Sequence, residues 1–195
     1  MNIGDTIKSA VQGMPTLLTG GHPSYRAGDE KLAWMQIGLM GSADFPVHSD
    51  AFADGEPIPF KYGTDGQNVS PPLSWSTPPA KTMSLVVVVE DPDAPTPEPF
   101  VHWLVYNIPA DAKGLSEGTD KGAMKGVEGE NSKLKPGWTG MAPPKGDSPH
   151  RYVFQIFALD TGLSLEKEAG RAELFKAMAG HVLGRGILVG TYQRA

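Results

Sequence analysis

The chain has 195 residues, with 22 acidic against 17 basic side chains, a net charge of −5 and no cysteine. That balance excludes the basic footprint of a nucleic-acid binder, and the missing thiols exclude disulfide frameworks, thiolate catalysis and cysteine-ligated zinc. The 24 glycines and 18 prolines imply many turns and few long helices, hence a fold dominated by β-structure.

Met1 to Gly20 has no basic stretch followed by an apolar run, and no window approaches the roughly 18 apolar residues of a membrane span. A cytoplasmic protein with neither leader nor integral membrane segment is expected. Apolar residues from Asp5 to Leu18 fall at helical spacing, but Gly13 and Pro15 break it. Asp29 to Met40 predicts a helix, with Leu32, Ala33, Met35, Gln36, Ile37 and Leu39 forming a broad stripe. Residues 1–41 therefore read as a helical arm ahead of a β domain over 42–195. Such an arm fits packing on its own domain and the contact of a homodimer equally well.

From Asp44 the pattern turns to short runs. Phe45–Phe52, Asp54-Gly55 and Ile58–Tyr62 suggest a hairpin closed at Asp-Gly. Gly63–Ser76 is too rich in turn residues for regular structure, with Trp75 a candidate core residue. Leu85–Val89 and Val101–Ile108 are apolar on both period-2 faces, which predicts central strands buried from two sides. Between them Asp91-Pro92-Asp93-Ala94-Pro95 forms a stiff loop able to hold an acid in one place. Ala110–Gly146 is a long, glycine-rich connection without periodicity, and connections of that length in a compact domain are often functional. His150–Leu159 predicts a third strong strand, Leu165–Leu183 one or two helices, and Ile187–Tyr192 a short final strand.

Period-2 alternation puts His150, Tyr152, Phe154 and Ile156 on one face of the third strand, and His102 on a face with Phe100, Leu104 and Tyr106. A lone histidine on a buried strand is ordinarily structural, and an Asp-Pro turn is ordinarily only a turn. Three such features at strand ends converge at one end of a sheet if the neighbouring strands are antiparallel. His22, His48 and His181 belong to no constellation, and the mixed-sign runs Lys121–Lys135 and Glu166–Glu173 read as solvated surface.

Asp91-Pro92-Asp93-Ala94-Pro95, then His102-Trp103 with an apolar run into Asn107-Ile108-Pro109-Ala110, then Pro143-Pro144-x-Gly146-xxx-His150-Arg151-Tyr152-x-Phe154-xxx-Ala158-Leu159-Asp160, resembles the phosphatidylethanolamine-binding proteins. These are also called Raf-kinase-inhibitor-like proteins, and the likeness is strongest to their bacterial branch. Gly66-x-Asn68-x-Ser70-Pro71-Pro72-Leu73-x-Trp75 supports it, and the resemblance covers roughly residues 45–193. It implies a mostly β fold: a large central antiparallel sheet, a smaller second sheet packed on it and a few peripheral helices. It also implies a small anion pocket at one end of the sheet, formed by Asp91, His102, His150 and Tyr152, with Pro144 and Gly146 in the approaching loop and Asp93 ordering the turn. Val101 stands where some members carry a second histidine, a difference at the rim.

Imidazoles and a phenol donate hydrogen bonds, so such a pocket suits phosphate or carboxylate, whether on a phospholipid headgroup, a phospho-side chain or a nucleotide. Asp91 would repel an anion, and its expected role is to bond one imidazole and favour the protonated form. The reading is a binding protein without catalytic residues or cofactor, of the kind that regulates a protein partner such as a kinase. The alternative is a hydrolase or isomerase with His102 or His150 as general base, although there is no Gly-x-Ser-x-Gly elbow. A metal triad is a weaker reading, because no His-Glu-x-x-His or His-x-His spacing is present.

Overall fold

The computed structural model describes residues 26–40, 43–119 and 125–194. A six-stranded sheet runs in the order β1-β9-β8-β4-β5-β7, and a three-stranded sheet in the order β2-β3-β6. In chain order the strands are β1 (Ala43–Asp44), β2 (Val47–His48), β3 (Leu73–Trp75), β4 (Ser84–Asp91), β5 (Phe100–Pro109), β6 (Gly114–Leu115), β7 (Val127–Glu128), β8 (His150–Leu159) and β9 (Val182–Tyr192). All pairings are antiparallel except β1 with β9, so the large sheet is mixed at one edge.

β4 lies between β8 and β5, and all eight of its residues are buried. Both its faces are covered, which is why its sequence is a continuous β-branched run instead of an alternation. Leu85, Val87 and Val89 face the small sheet, in one core with Leu73, Trp75, Phe154 and Ile156. Val86 and Val88 face the other way, toward Leu174 and Met178 of the helix α2 (Arg171–Met178). β5 is buried along nearly its whole length and is flanked outside only by the two-residue β7.

The helix predicted over Asp29–Met40 is reduced to a 3-10 turn at Asp29–Lys31 and one α-turn, α1 (Ala33–Gln36). The sheet supplies the reason. Glu90 Oε2 accepts the Ala33 N–H at 2.8 Å and Gln155 Oε1 accepts the Trp34 N–H at 2.6 Å, so side chains of β4 and β8 satisfy the first donors of α1. Leu32, Ala33, Trp34 and Ile37 are buried against the sheet by this docking. The helical spacing at Asp5–Leu18 lies outside the described residues.

The expected hairpin over residues 45–62 does not form. β1 joins the large sheet and β2 the small one, and residues 54–58 bond instead to the edge of β9: Gly55 N to Val189 O at 2.7 Å and Ile58 N to Thr191 O at 2.7 Å. β9 makes room with glycines on one face. A Cβ on Gly190 would lie 2.5 Å from Ile58, and one on Gly186 would meet the Phe45 carbonyl. β9 is also longer than expected, eleven residues, because Val182 belongs to it and not to a helix. Helix α2 therefore spans only part of Leu165–Leu183. Among the described residues no helix is long and apolar enough to cross a membrane.

Candidate functional site

The antiparallel arrangement of β8, β4 and β5 brings the end of β4 beside the starts of β5 and β8: Asp91 pairs with Phe100, and Glu90 with Val153. Asp91, on the face of β4 turned toward the small sheet, reaches His150. Its Oδ2 accepts the Nδ1–H of His150 at 2.8 Å, with both side chains buried. Its Oδ1 accepts the backbone N–H of Asp93 at 2.8 Å, the Asx-type closure of the Asp-Pro turn. Both Asp91 oxygens are thus engaged by protein donors.

Asp93 orders the turn from outside. Its carboxylate accepts Arg151 Nε at 2.8 Å, Nη2 at 2.7 Å and the Arg151 backbone N–H at 2.9 Å, with Arg26 at 3.2 Å. Burial opposes its ionisation, but the Arg151 bonds prevail and hold its carboxyl below the usual range. His150 and Arg151, adjacent on β8, therefore serve the same turn from opposite faces of the sheet.

His102 reaches the site through an irregularity. Val89 pairs with Trp103 and Glu90 with Val101, so His102 is the extra residue of a β-bulge. The bulge resets the alternation. His102 lies with the core of Trp103, Trp138 and Tyr152, not on the face of Leu104 and Tyr106 that strict period-2 spacing predicts. Its Nδ1 donates to the Thr139 carbonyl at 2.6 Å, and its ring stands edge-on to Tyr152 with centroids 5.0 Å apart. A carbonyl only accepts, so the Nδ1 proton is assigned.

The two imidazoles are driven apart. Burial pulls His102 below the ordinary histidine range despite the Asp91 charge. Burial also pulls on His150, but its bond to Asp91 and the adjacent negative charge outweigh that and raise it. Burial, then the Asp91 charge, push the Tyr152 phenol well above its usual value, so it stays a neutral donor.

His150 Nε2, Tyr152 Oη and Trp138 Nε1 are buried and have no hydrogen-bond partner. The nearest acid to His150 Nε2 is Asp147, at 3.5 Å. Asp147 lies in the loop that carries Pro144 and Gly146, which are exposed at its tip, with Gly146 at φ +85°. The structure thus brings Asp91, His102, His150 and Tyr152 together and leaves Pro144 and Gly146 on the loop at the edge. Among the described residues no group of three or more histidine, aspartate or glutamate side chains is arranged to hold a metal ion.

No local pattern singles out Trp138, yet its ring lies 6.2 Å from His102 and stacks on Phe154 at 6.3 Å. The signal available was an indole in a Gly137-Trp138-Thr139-Gly140 segment of an otherwise polar connection.

A family model for phosphatidylethanolamine-binding proteins matches residues 48–193. The chain belongs to the phosphatidylethanolamine-binding protein family. The UPF0098 protein of Methanothermobacter thermautotrophicus is 44% identical over 151 residues, which cover 76% of this chain and 98% of that protein. The solved phosphatidylethanolamine-binding protein homologue CT736 of Chlamydia trachomatis is 39% identical, with a TM-score of 0.73 over 79% of this chain and 100% of that one. E. coli YbcL, described as a member of the mammalian family, is 32% identical with the same TM-score, covering 78% of this chain and 100% of its own. The match covers strands β3 to β9 and every residue of the cluster around Asp91, and leaves out β1.

Proposed function

We propose that the protein binds a small oxyanion, a phosphate- or carboxylate-bearing group, at the end of the large sheet, and does so without turnover. The observation that carries this reading is the pair of buried donors His150 Nε2 and Tyr152 Oη, neither of which has a hydrogen-bond acceptor, with Asp147 facing the imidazole only at 3.5 Å. Buried polar atoms in folded proteins are nearly always bonded, and orphans next to a charged dyad imply a missing acceptor. Asp91 does not compete for that acceptor's place, since its oxygens are held by His150 and the Asp93 N–H. It favours the protonated form of His150, and that cation would meet the anion. A phospholipid headgroup, a nucleotide and a phospho-side chain present the same oxygens, and the last would let the site regulate a protein partner such as a kinase.

A second reading uses the same dyad as a general base, because a carboxylate bonded to Nδ1 is how imidazole bases are oriented in hydrolases and isomerases. The raised His150 weighs against it, because favouring the protonated form leaves less of the neutral imidazole that a general base needs.

Calorimetric titration with inorganic phosphate, phosphorylethanolamine and acetate tests the proposal. Tyr152→Phe removes only an unsatisfied hydroxyl, so the variant should melt no lower than the parent, yet bind phosphate about tenfold or more weakly. Asp147→Asn should tighten binding about two- to fivefold by removing a competing charge at the edge of the site. No binding of any of the three, or ester turnover abolished by His150→Ala, would overturn the binding reading.

A further inference from the structure

Trp138 is buried, 7% exposed, and its Nε1–H has no acceptor. The same is not true of two other tryptophans of the core: Trp75 donates to the Ala112 carbonyl at 2.9 Å and Trp103 to Glu128 Oε1 at 3.0 Å. Burying an indole N–H without a partner is costly, and tryptophan is normally used in a core only where that proton finds an acceptor.

The segment that carries Trp138 is not free to relax the problem away. Thr139 is tied to His102 by two bonds, its N–H to the His102 carbonyl at 2.9 Å and its carbonyl to His102 Nδ1 at 2.6 Å. Asn131 Nδ2 donates to the Gly137 carbonyl at 2.9 Å, and Asn68 Oδ1 accepts the Gly140 N–H at 2.7 Å. Gly140 has no room for a side chain, since a Cβ there would lie 2.5 Å from the Tyr62 carbonyl. Three residues of the segment are thus clamped from different parts of the chain, and the indole packs among the rings of His102, Trp103 and Phe154. His102 in turn stands edge-on to Tyr152, whose hydroxyl is also unpartnered.

We propose that the Trp138 indole N–H is a third donor to the anion held by His150 and Tyr152, and a determinant of specificity within that site. The inference rests on the anion-binding reading and deepens it. Tyr152 and Trp138 are neutral donors at every physiological pH, and only His150 brings charge. A tetrahedral oxyanion can turn a separate oxygen toward each of the three donors, whereas a carboxylate must serve them with two oxygens whose lone pairs lie in one plane. Trp138 therefore favours phosphate over carboxylate.

The test is a titration of the 15N-labelled full chain with inorganic phosphate, following the indole N–H signals of its four tryptophans, each assigned by ring-to-backbone correlations. The Trp138 proton should move to lower field on saturation while those of Trp75 and Trp103, already bonded, stay in place. Trp138→Phe keeps a ring in the stack and removes the donor. It should bind phosphate about tenfold more weakly, the loss of one hydrogen bond to a charged acceptor, and should narrow the preference for phosphate over acetate. If phosphate binds in a Tyr152-dependent way but the Trp138 signal does not move, or Trp138→Phe binds as the parent does, the inference is overturned and the anion reading stands. If phosphate neither binds nor moves any indole signal, both are overturned. Should Trp138→Phe fail to fold, the parent spectrum alone decides.

Discussion

His150 Nδ1 and Asp91 Oδ2 lie 2.8 Å apart across neighbouring antiparallel strands, although 59 residues separate them in the chain. The pair gives the two histidines of the site opposite properties. His150 is raised above the usual range, after burial is outweighed by Asp91, and His102 is lowered, chiefly by burial.

Carbon-bound proton NMR should therefore find His150 titrating above, and His102 below, the ordinary value of about 6.5. The signs for stability follow from linkage. The raised His150 contributes stability that is full below its unfolded value and is lost as pH rises through its folded one. The lowered His102 costs stability as pH falls below about 6.5, where the unfolded chain takes up a proton that the native state resists. Phosphate affinity should rise as pH falls from about 8 toward 6, with His150. Asp91→Asn should weaken binding near neutral pH and move the profile to lower pH, because His150 loses the partner that favours its charge. Tighter binding by Asp91→Asn at every pH would show that Asp91 merely repels the ligand.

Arg151 holds Asp93 through three bonds, and the Asp93 carboxylate is 9% exposed. Arg151→Met keeps the bulk and the backbone N–H bond at position 151 but removes both guanidinium bonds, leaving Arg26, 3.2 Å away and on the surface, as the cation beside that carboxylate. Urea denaturation should show a loss of about 3 kcal/mol, the low end for breaking a buried pair. Arg151→Lys should recover little of it, because a single ammonium cannot replace the fork. The lowered Asp93 contributes stability above its unfolded value of about 3.9, lost as pH falls through the folded one, so parent and Arg151→Met should converge in acid.

The glycines of β9 are there for the chain that crosses them. Gly186→Ala would drive a methyl into the Phe45 carbonyl, and backbone cannot swing aside as a side chain can. The expected cost is about 1–3 kcal/mol, as for overpacking elsewhere. Phosphate binding should be unchanged. Gly55→Ala, a glycine with open space around it but at φ +81°, separates strain from crowding and should cost about 1 kcal/mol.

How much of this was legible without coordinates differs from residue to residue. β4, β5 and β8 announce themselves as runs apolar on both faces, since a strand covered on both sides leaves no polar alternation. Asp91, His150 and Tyr152 could be placed at strand ends from local pattern alone, and antiparallel pairing then does the rest. Residues 45–62 resembled a hairpin because turn chemistry is local, whereas their real partner, the edge of β9, lies more than a hundred residues away and is chosen by where its glycines leave space. The short helix at Ala33–Gln36 begins where it does because Glu90 and Gln155 accept its first N–H groups, which no helical stripe encodes. His102 shows the limit most plainly. Alternation along β5 predicts the wrong face for it, because one extra residue opposite Val89 and Glu90 shifts the count. Sequence by itself determined which segments are buried strands and which acids and histidines stand at their ends, for burial leaves its mark residue by residue. Which side chains share a site was decided by a bulge at His102 and a clamped indole at Trp138, both products of pairing between distant segments that local periodicity does not record.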